Sequence, residues 1–88
     1  MRHEETIDAE LIRVEAGDCS GPRRSELGPV VLVVVEGSGS ALAGDVWVPV
    51  KAGDRLTVDS GEPCALRSTG GTVIAVLLRP AAEAAQAA

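Results

Sequence analysis

Between Gly37 and Cys64 the chain reads GSGSALAGDVWVPVKAGDRLTVDSGEPC, a series of short apolar runs cut by glycine-bearing turns. Runs this short do not build an amphipathic helix. Turn signals every roughly 8–12 residues are instead the pattern of antiparallel strands in a barrel or sandwich. Ser40–Ala43 and Val46–Val50 are expected to form a hairpin around Ala43-Gly44-Asp45. Because side chains alternate along a strand, Val46, Val48 and Val50 should lie on one face and Trp47 and Pro49 on the other. Lys51-Ala52-Gly53-Asp54 is the next turn, RLTVD (Arg55–Asp59) alternates with Leu56 and Val58 inward, and Ser60-Gly61-Glu62-Pro63 turns the chain again.

The flanking segments extend the same pattern. Pro29–Glu36 (PVVLVVVE) is a run of six Val or Leu residues bounded by Gly28-Pro29 and Gly37, a length that suits a strand. A strand apolar on both faces should be buried on both, by the barrel interior on one side and by a second layer, a terminal strand or a partner subunit on the other. Glu10–Glu15 is expected to be the first strand, Gly17–Pro22 a loop, and Cys64–Ser68 with Thr72–Arg79 a further hairpin joined by Thr69-Gly70-Gly71. Pro80 ends the last strand, and the AAEAAQAA that follows is too short to be a stable helix by itself. The expected organisation is a flexible N-terminal arm over 1–9, one β-barrel domain over 10–80 and a flexible alanine-rich tail over 81–88, with no significant helix.

Eighty-eight residues make one domain, and with no Phe, no Tyr and one Trp its core must be aliphatic. A formal charge of −5 argues against nucleic acid and anionic membranes as partners, since both attract clustered Lys and Arg. The charged start MRHEE is unlike a signal peptide, and the longest apolar run is too short to span a bilayer. A cytoplasmic protein with reduced thiols at Cys19 and Cys64 is therefore expected.

The glycines also fall in a recognisable register. Gly53, five residues, then Asp59, Ser60 and Gly61, two residues, then Cys64 match the spacing G-x5-P-x-G-x2-H-x3-N. Gly17, five residues, Arg23 and Ser25, four residues to Val30 and six to Gly37 match G-x5-H-x-H-x3-4-E-x6-G. These are the two motifs of the cupin superfamily, which the chain resembles from Gly17 to Ser68. The wording EGSGSALAGDVWVPVKAGD is most similar to the C-terminal cupin lobe of type I phosphomannose isomerases. The resemblance implies a small antiparallel, jelly-roll-like cupin-type β-barrel.

It also implies where a metal would sit, and there the sequence departs from the family. The positions of the family's metal ligands hold Arg23, Ser25, Val30 and Cys64, and the motif proline and asparagine are replaced by Asp59 and Ser68. Arginine repels a divalent cation, valine has no donor atom, neutral serine is a poor ligand, and one thiolate does not make a site. No metal and no other cofactor is expected, and the family's metal-dependent chemistry should not be inferred from the fold.

Arg23, Ser25, Cys64 and Arg67 are the candidate ligand-binding residues. Arg23 offers a forked donor for a carboxylate or phosphate, and an arginine beside Cys64 would lower its pKa. The plainer alternatives are a solvated arginine loop paired to Glu26 or Asp18 and a cysteine that simply fills the core. Trp47 is the candidate interface residue of an expected homodimer, and His3 a surface residue. The leading expectation is a metal-free barrel that binds a small polar or anionic molecule or acts as an accessory or regulatory module. The alternatives are an enzyme of sugar or secondary metabolism, phosphomannose-isomerase-like or cyclase-like, and a structural interaction module with a filled barrel. Room beside Arg23 and Cys64 would favour binding; a valine-filled interior would favour the structural reading.

Overall fold

A computed structural model describes residues 7–80, all in strands, turns and loops. Seven strands follow in order: β1 (Ile7–Val14), β2 (Val30–Glu36), β3 (Ser38–Ala43), β4 (Val46–Lys51), β5 (Arg55–Val58), β6 (Cys64–Ser68) and β7 (Val73–Pro80). They form two antiparallel sheets, β1-β7-β2-β5 and β4-β3-β6. The all-β, jelly-roll-like expectation holds. Among the described residues no helix is long and apolar enough to cross a membrane.

The second sheet gains a fourth, irregular member. The loop over residues 18–23 runs antiparallel to β6, with bridges Cys19 to Arg67 and Arg23 to Cys64. Arg23 N donates to the Cys64 carbonyl at 2.7 Å and Cys64 N to the Arg23 carbonyl at 2.8 Å. This pairing gives backbone groups on the outer side of β6 their partners, as a buried segment requires.

Between the sheets lies an aliphatic core. Val30, Leu32 and Val34 of β2, Val73, Ala75 and Leu77 of β7, Ile12 and Val14 of β1, and Val58 of β5 meet Ala41, Val50, Cys64 and Leu66 from the second sheet. Each fully buried Val or Leu contributes about 1.5–3 kcal/mol relative to an exposed one. The space between the sheets is thus lined by aliphatic side chains from both.

Several boundaries and pairings differ from the sequence expectation. β1 begins at Ile7 rather than Glu10, because Ile7, Asp8 and Ala9 pair with Pro80, Arg79 and Leu78. Residues 7–9 of the expected arm are therefore strand; the rest of the arm, with His3, and the tail 81–88 lie outside the described residues. The expected hairpin of Cys64–Ser68 with the last strand does not form. β6 pairs with β3, whereas β7 lies in the other sheet between β1 and β2, so Thr69-Gly70-Gly71 carries the chain across the sandwich. The β3–β4 hairpin is as expected, with Val48 against the core and Val50 within it, but Val46 at the hairpin tip is 54% exposed.

The expectation for β2 is met on one face only. Val30, Leu32 and Val34 are buried, while Val31 and Val33 are half-buried and Val35, at a bulge, is 55% exposed.

All four glycines that carry the motif register, Gly17, Gly37, Gly53 and Gly61, have positive φ between +82° and +96°. The spacing therefore records where the backbone must turn left-handed, which only glycine does at no steric cost.

Candidate functional site

The residues expected to face a ligand converge only in part. Arg23 and Cys64 are bridged through their backbones where the edge of the second sheet faces β1. On β1, Glu10 shares the inward phase of Ile12 and Val14, and its carboxylate reaches across the seam to Arg23. Arg23 Nη2 donates to Glu10 Oε2 at 2.7 Å, and Arg23 Nε lies 3.2 and 3.3 Å from the two carboxylate oxygens. A second guanidinium approaches from β7, where Arg79 Nη1 is 3.5 Å from Glu10 Oε1. The remaining fork of Arg23 is engaged too, as Nη1 donates to the Gly21 carbonyl at 2.6 Å.

The electrostatics follow from this geometry. The hydrogen bond from Arg23, opposed by partial burial and reinforced by the charges of Arg23 and Arg79, holds the Glu10 carboxyl below the usual carboxylate range. The same hydrogen bond raises the Arg23 pKa further. Cys64 is 2% exposed, and burial pushes its thiol up; the Arg23 charge opposes this but is the smaller effect. An activated thiolate was conceivable from the sequence, whereas in this setting the thiol stays protonated and belongs to the core.

Ser25 is 7% exposed and works as a structural tie. Its hydroxyl accepts from Leu27 N at 3.3 Å, and its carbonyl accepts from Gly61 N at 2.7 Å and Ser60 Oγ at 3.2 Å. Val30 is a core residue at 1% exposure.

Arg67 does not join the group. Odd spacing along β6 sets it on the opposite face from Cys64, where its guanidinium carbon stands 4.2 Å from the Trp47 ring centroid. Trp47 is half-buried under this cation–π contact. Cys19 is exposed, and both cysteines are free.

Glu10 and Arg79 were missed from the sequence, although a signal existed. Glu10 is in phase with Ile12 and Val14, and Arg79 with Leu77 and Ala75, so each is a charge on an inward face that demands a partner. Glu26 and Asp18 are the near neighbours of Arg23 in sequence, whereas its partner in the structure lies thirteen residues back on another strand.

The donor set does not fit a metal ion. Arg23 is committed to Glu10, Val30 offers nothing, Ser25 is tied to the backbone, and the Cys64 thiol holds its proton. Among the described residues no three His, Cys, Asp or Glu side chains converge to hold a cation. A second feature, an open groove of about 500 Å³, lies toward the other end of β3 and β4 beside Ser38, Ser40, Lys51 and Asp54. Its lysine is paired with Asp54 at 3.6 Å, and no sequence-predicted site residue lines it.

No protein-family model and no curated protein matches the sequence. Solved structures do. A protein with a double-stranded β-helix domain from Klebsiella pneumoniae superposes with a TM-score of 0.76 at 20% identity, over 88% of this chain and 71% of that one. A cupin-2 domain protein from Shewanella frigidimarina gives 0.69 at 15% identity, over 91% and 76%. A DMSP lyase from Ruegeria pomeroyi gives 0.74 at 19% identity, over 90% of this chain but 40% of the lyase. The chain therefore has the cupin-type double-stranded β-helix fold, and one of its motif positions, Arg23, is held in an arginine–carboxylate cluster with Glu10 and Arg79.

Proposed function

We propose that this protein is a non-catalytic, metal-independent accessory module that uses a cupin-type fold as a rigid, filled scaffold. The observation that carries the reading is the fate of Arg23. Its fork is taken up by Glu10 and Gly21 and so closes the seam between the two sheets, beside an interior occupied by Val, Leu, Ile and Ala. A filled small barrel needs no ligand to complete its core.

A second reading has an observation of its own. Two guanidiniums, Arg23 and Arg79, surround one carboxylate, so a small carboxylate or phosphate able to replace or join Glu10 would find an arranged pair of forks. The sequence expectation is binding of a small polar or anionic molecule at Arg23, Ser25, Cys64 and Arg67; in this reading Arg23 is kept, Arg79 joins it, and the other three take no part. The enzyme reading has less behind it. The resemblance to the phosphomannose isomerase lobe rests on the wording of residues 36–54, and the protonated Cys64 thiol is a weak nucleophile.

Thermal melting against a panel of small carboxylates, phosphates and sugar phosphates separates these readings, because a ligand selective for the native state raises the melting temperature. The scaffold reading expects no shift beyond that of matched ionic strength. A concentration-dependent rise lost in Arg23→Ala and in Arg79→Ala would replace it with the anion-binding reading.

A further inference from the structure

The open groove on the β4-β3-β6 sheet lies apart from the seam at Arg23 and shares no residue with it. Its volume of about 500 Å³ is within the range of small-molecule sites, about 300–1,000 Å³. Strand register composes its floor. Ser38 pairs with Lys51 and Ser40 with Pro49 on β4, while on the other side Ser40 pairs with Arg67 and Thr69 follows two residues on. Side chains two apart share a face of a strand. Because Ala41 and Val50 point into the core, Ser38, Ser40, Pro49, Lys51 and Thr69 belong to the outer face. Asp54, from the turn after β4, closes one end.

We propose that this groove binds a neutral, hydroxyl-rich chain, a short oligosaccharide, on the outside of the fold. The proposal goes beyond the scaffold reading, since it gives the module a ligand held at its surface. It does not depend on what the seam at Arg23 binds.

Three features select a neutral, hydroxyl-rich ligand. The first is charge. Lys51 Nζ stands 3.6 Å from Asp54 Oδ1, and Asp54 Oδ2 accepts from Lys51 N at 2.9 Å, which fixes the carboxylate at the groove. A free anion would meet Asp54 and a free cation Lys51. A ligand that carries donors and acceptors without net charge can use both.

The second feature is the hydroxyl set. The hydroxyls of Ser20, Ser25, Ser60 and Ser68 are engaged by backbone groups and serve the fold. Those of Ser38, Ser40 and Thr69 stand at the groove instead. Each can donate one hydrogen bond and accept others, the same dual capacity as a sugar hydroxyl.

The third feature is shape. Strands lie about 4.8 Å apart, so the row from Lys51 across Ser38 to Thr69 is about 10 Å wide. That is longer than one sugar ring and suits a short chain, whose ends continue beyond an open groove. The exposed Pro49 ring supplies a flat apolar surface for the C–H face of a pyranose, in keeping with sites that place a few polar groups on an apolar floor.

Proton–nitrogen correlation NMR of the full 88-residue chain tests the proposal, with maltotriose, cellotriose, mannotriose and triacetylchitotriose as probes. At least one should give saturable shifts centred on the amides of Ser38, Ser40, Lys51, Asp54 and Thr69. Ser40→Val and Thr69→Val keep a β-branched side chain on the sheet surface; each should weaken binding about two- to tenfold by removing one hydrogen bond. Leu11→Ser, at a 70% exposed position on the other sheet, should leave it unchanged. No saturable shift with any of the four probes at tens of millimolar overturns the proposal. So do shifts centred on Arg23 and Cys64, or binding indifferent to both valine variants. Preference for a sulfated trisaccharide over the neutral ones, lost at high salt, would name an anion site instead and equally overturns it.

Discussion

Arg23 Nη2 and Glu10 Oε2 lie 2.7 Å apart across the seam between the two sheets, with both side chains about 30% exposed (29% and 31%). A pair so placed is stronger than a surface ion pair and weaker than a buried one. Glu10→Gln should lower stability by about 1 kcal/mol at neutral pH, read as a reduced urea midpoint at constant slope.

The same pair sets a pH dependence. Arg23 holds the Glu10 carboxyl below its ordinary value, near 4.3 in the unfolded chain. Its contribution is therefore complete above about 4.3 and is lost as pH falls through the lower folded value. The stability difference between wild type and Glu10→Gln should be constant from neutral pH down to that region and shrink below it. A difference that grows on acidification would mean that Glu10 is not held ionised by Arg23.

The two thiols should behave oppositely toward an alkylating reagent. Cys19 is exposed, whereas Cys64 is buried with its thiol pushed up by desolvation. Under native conditions intact-mass spectrometry with iodoacetamide should show one adduct, mapping to Cys19, and a second only after denaturation. Rapid native labelling of Cys64 would restore the reactive-thiol reading.

Arg67→Ala should remove the cation–π contact on Trp47, at a cost of about 0.5–1 kcal/mol. Since Trp47 is the single tryptophan, its emission reports this contact directly and should shift to the red as the ring is wetted.

The two central glycine types make an internal control. A Cβ at Gly39 would collide with the Arg67 carbonyl oxygen in the neighbouring strand, so Gly39→Ala should lower stability by about 2 kcal/mol or more. Gly70 has open space around its Cβ position, and Gly70→Ala should be neutral within about 0.5 kcal/mol. Equal effects at the two positions in urea unfolding would contradict the β3–β6 register.

What could be read from the sequence was what neighbours in the chain decide. Alternation in RLTVD, the hairpin turn around Ala43-Gly44-Asp45 and the glycine spacing all express local backbone geometry, and each reappears in the structure. What could not be read was pairing between distant strands. The extension of β1 to Ile7 depends on Pro80, Arg79 and Leu78, some seventy residues away, and Glu10 meets Arg23 only because β1 and the loop before β2 face each other across the seam. The mistaken hairpin at Thr69-Gly70-Gly71 shows the converse error, a turn signal taken to join neighbours in one sheet when it joins two sheets. Arg67 was a different case, because its odd spacing from Cys64 already placed it on the outer face.

The metal-independent reading is tested most directly by elemental analysis of the protein purified without chelators. Bound zinc, iron, nickel and manganese should total far less than one atom per chain, because among the described residues no donor set of three or four ligands converges. Near-stoichiometric content of any one of them would show that the chain assembles a metal site after all.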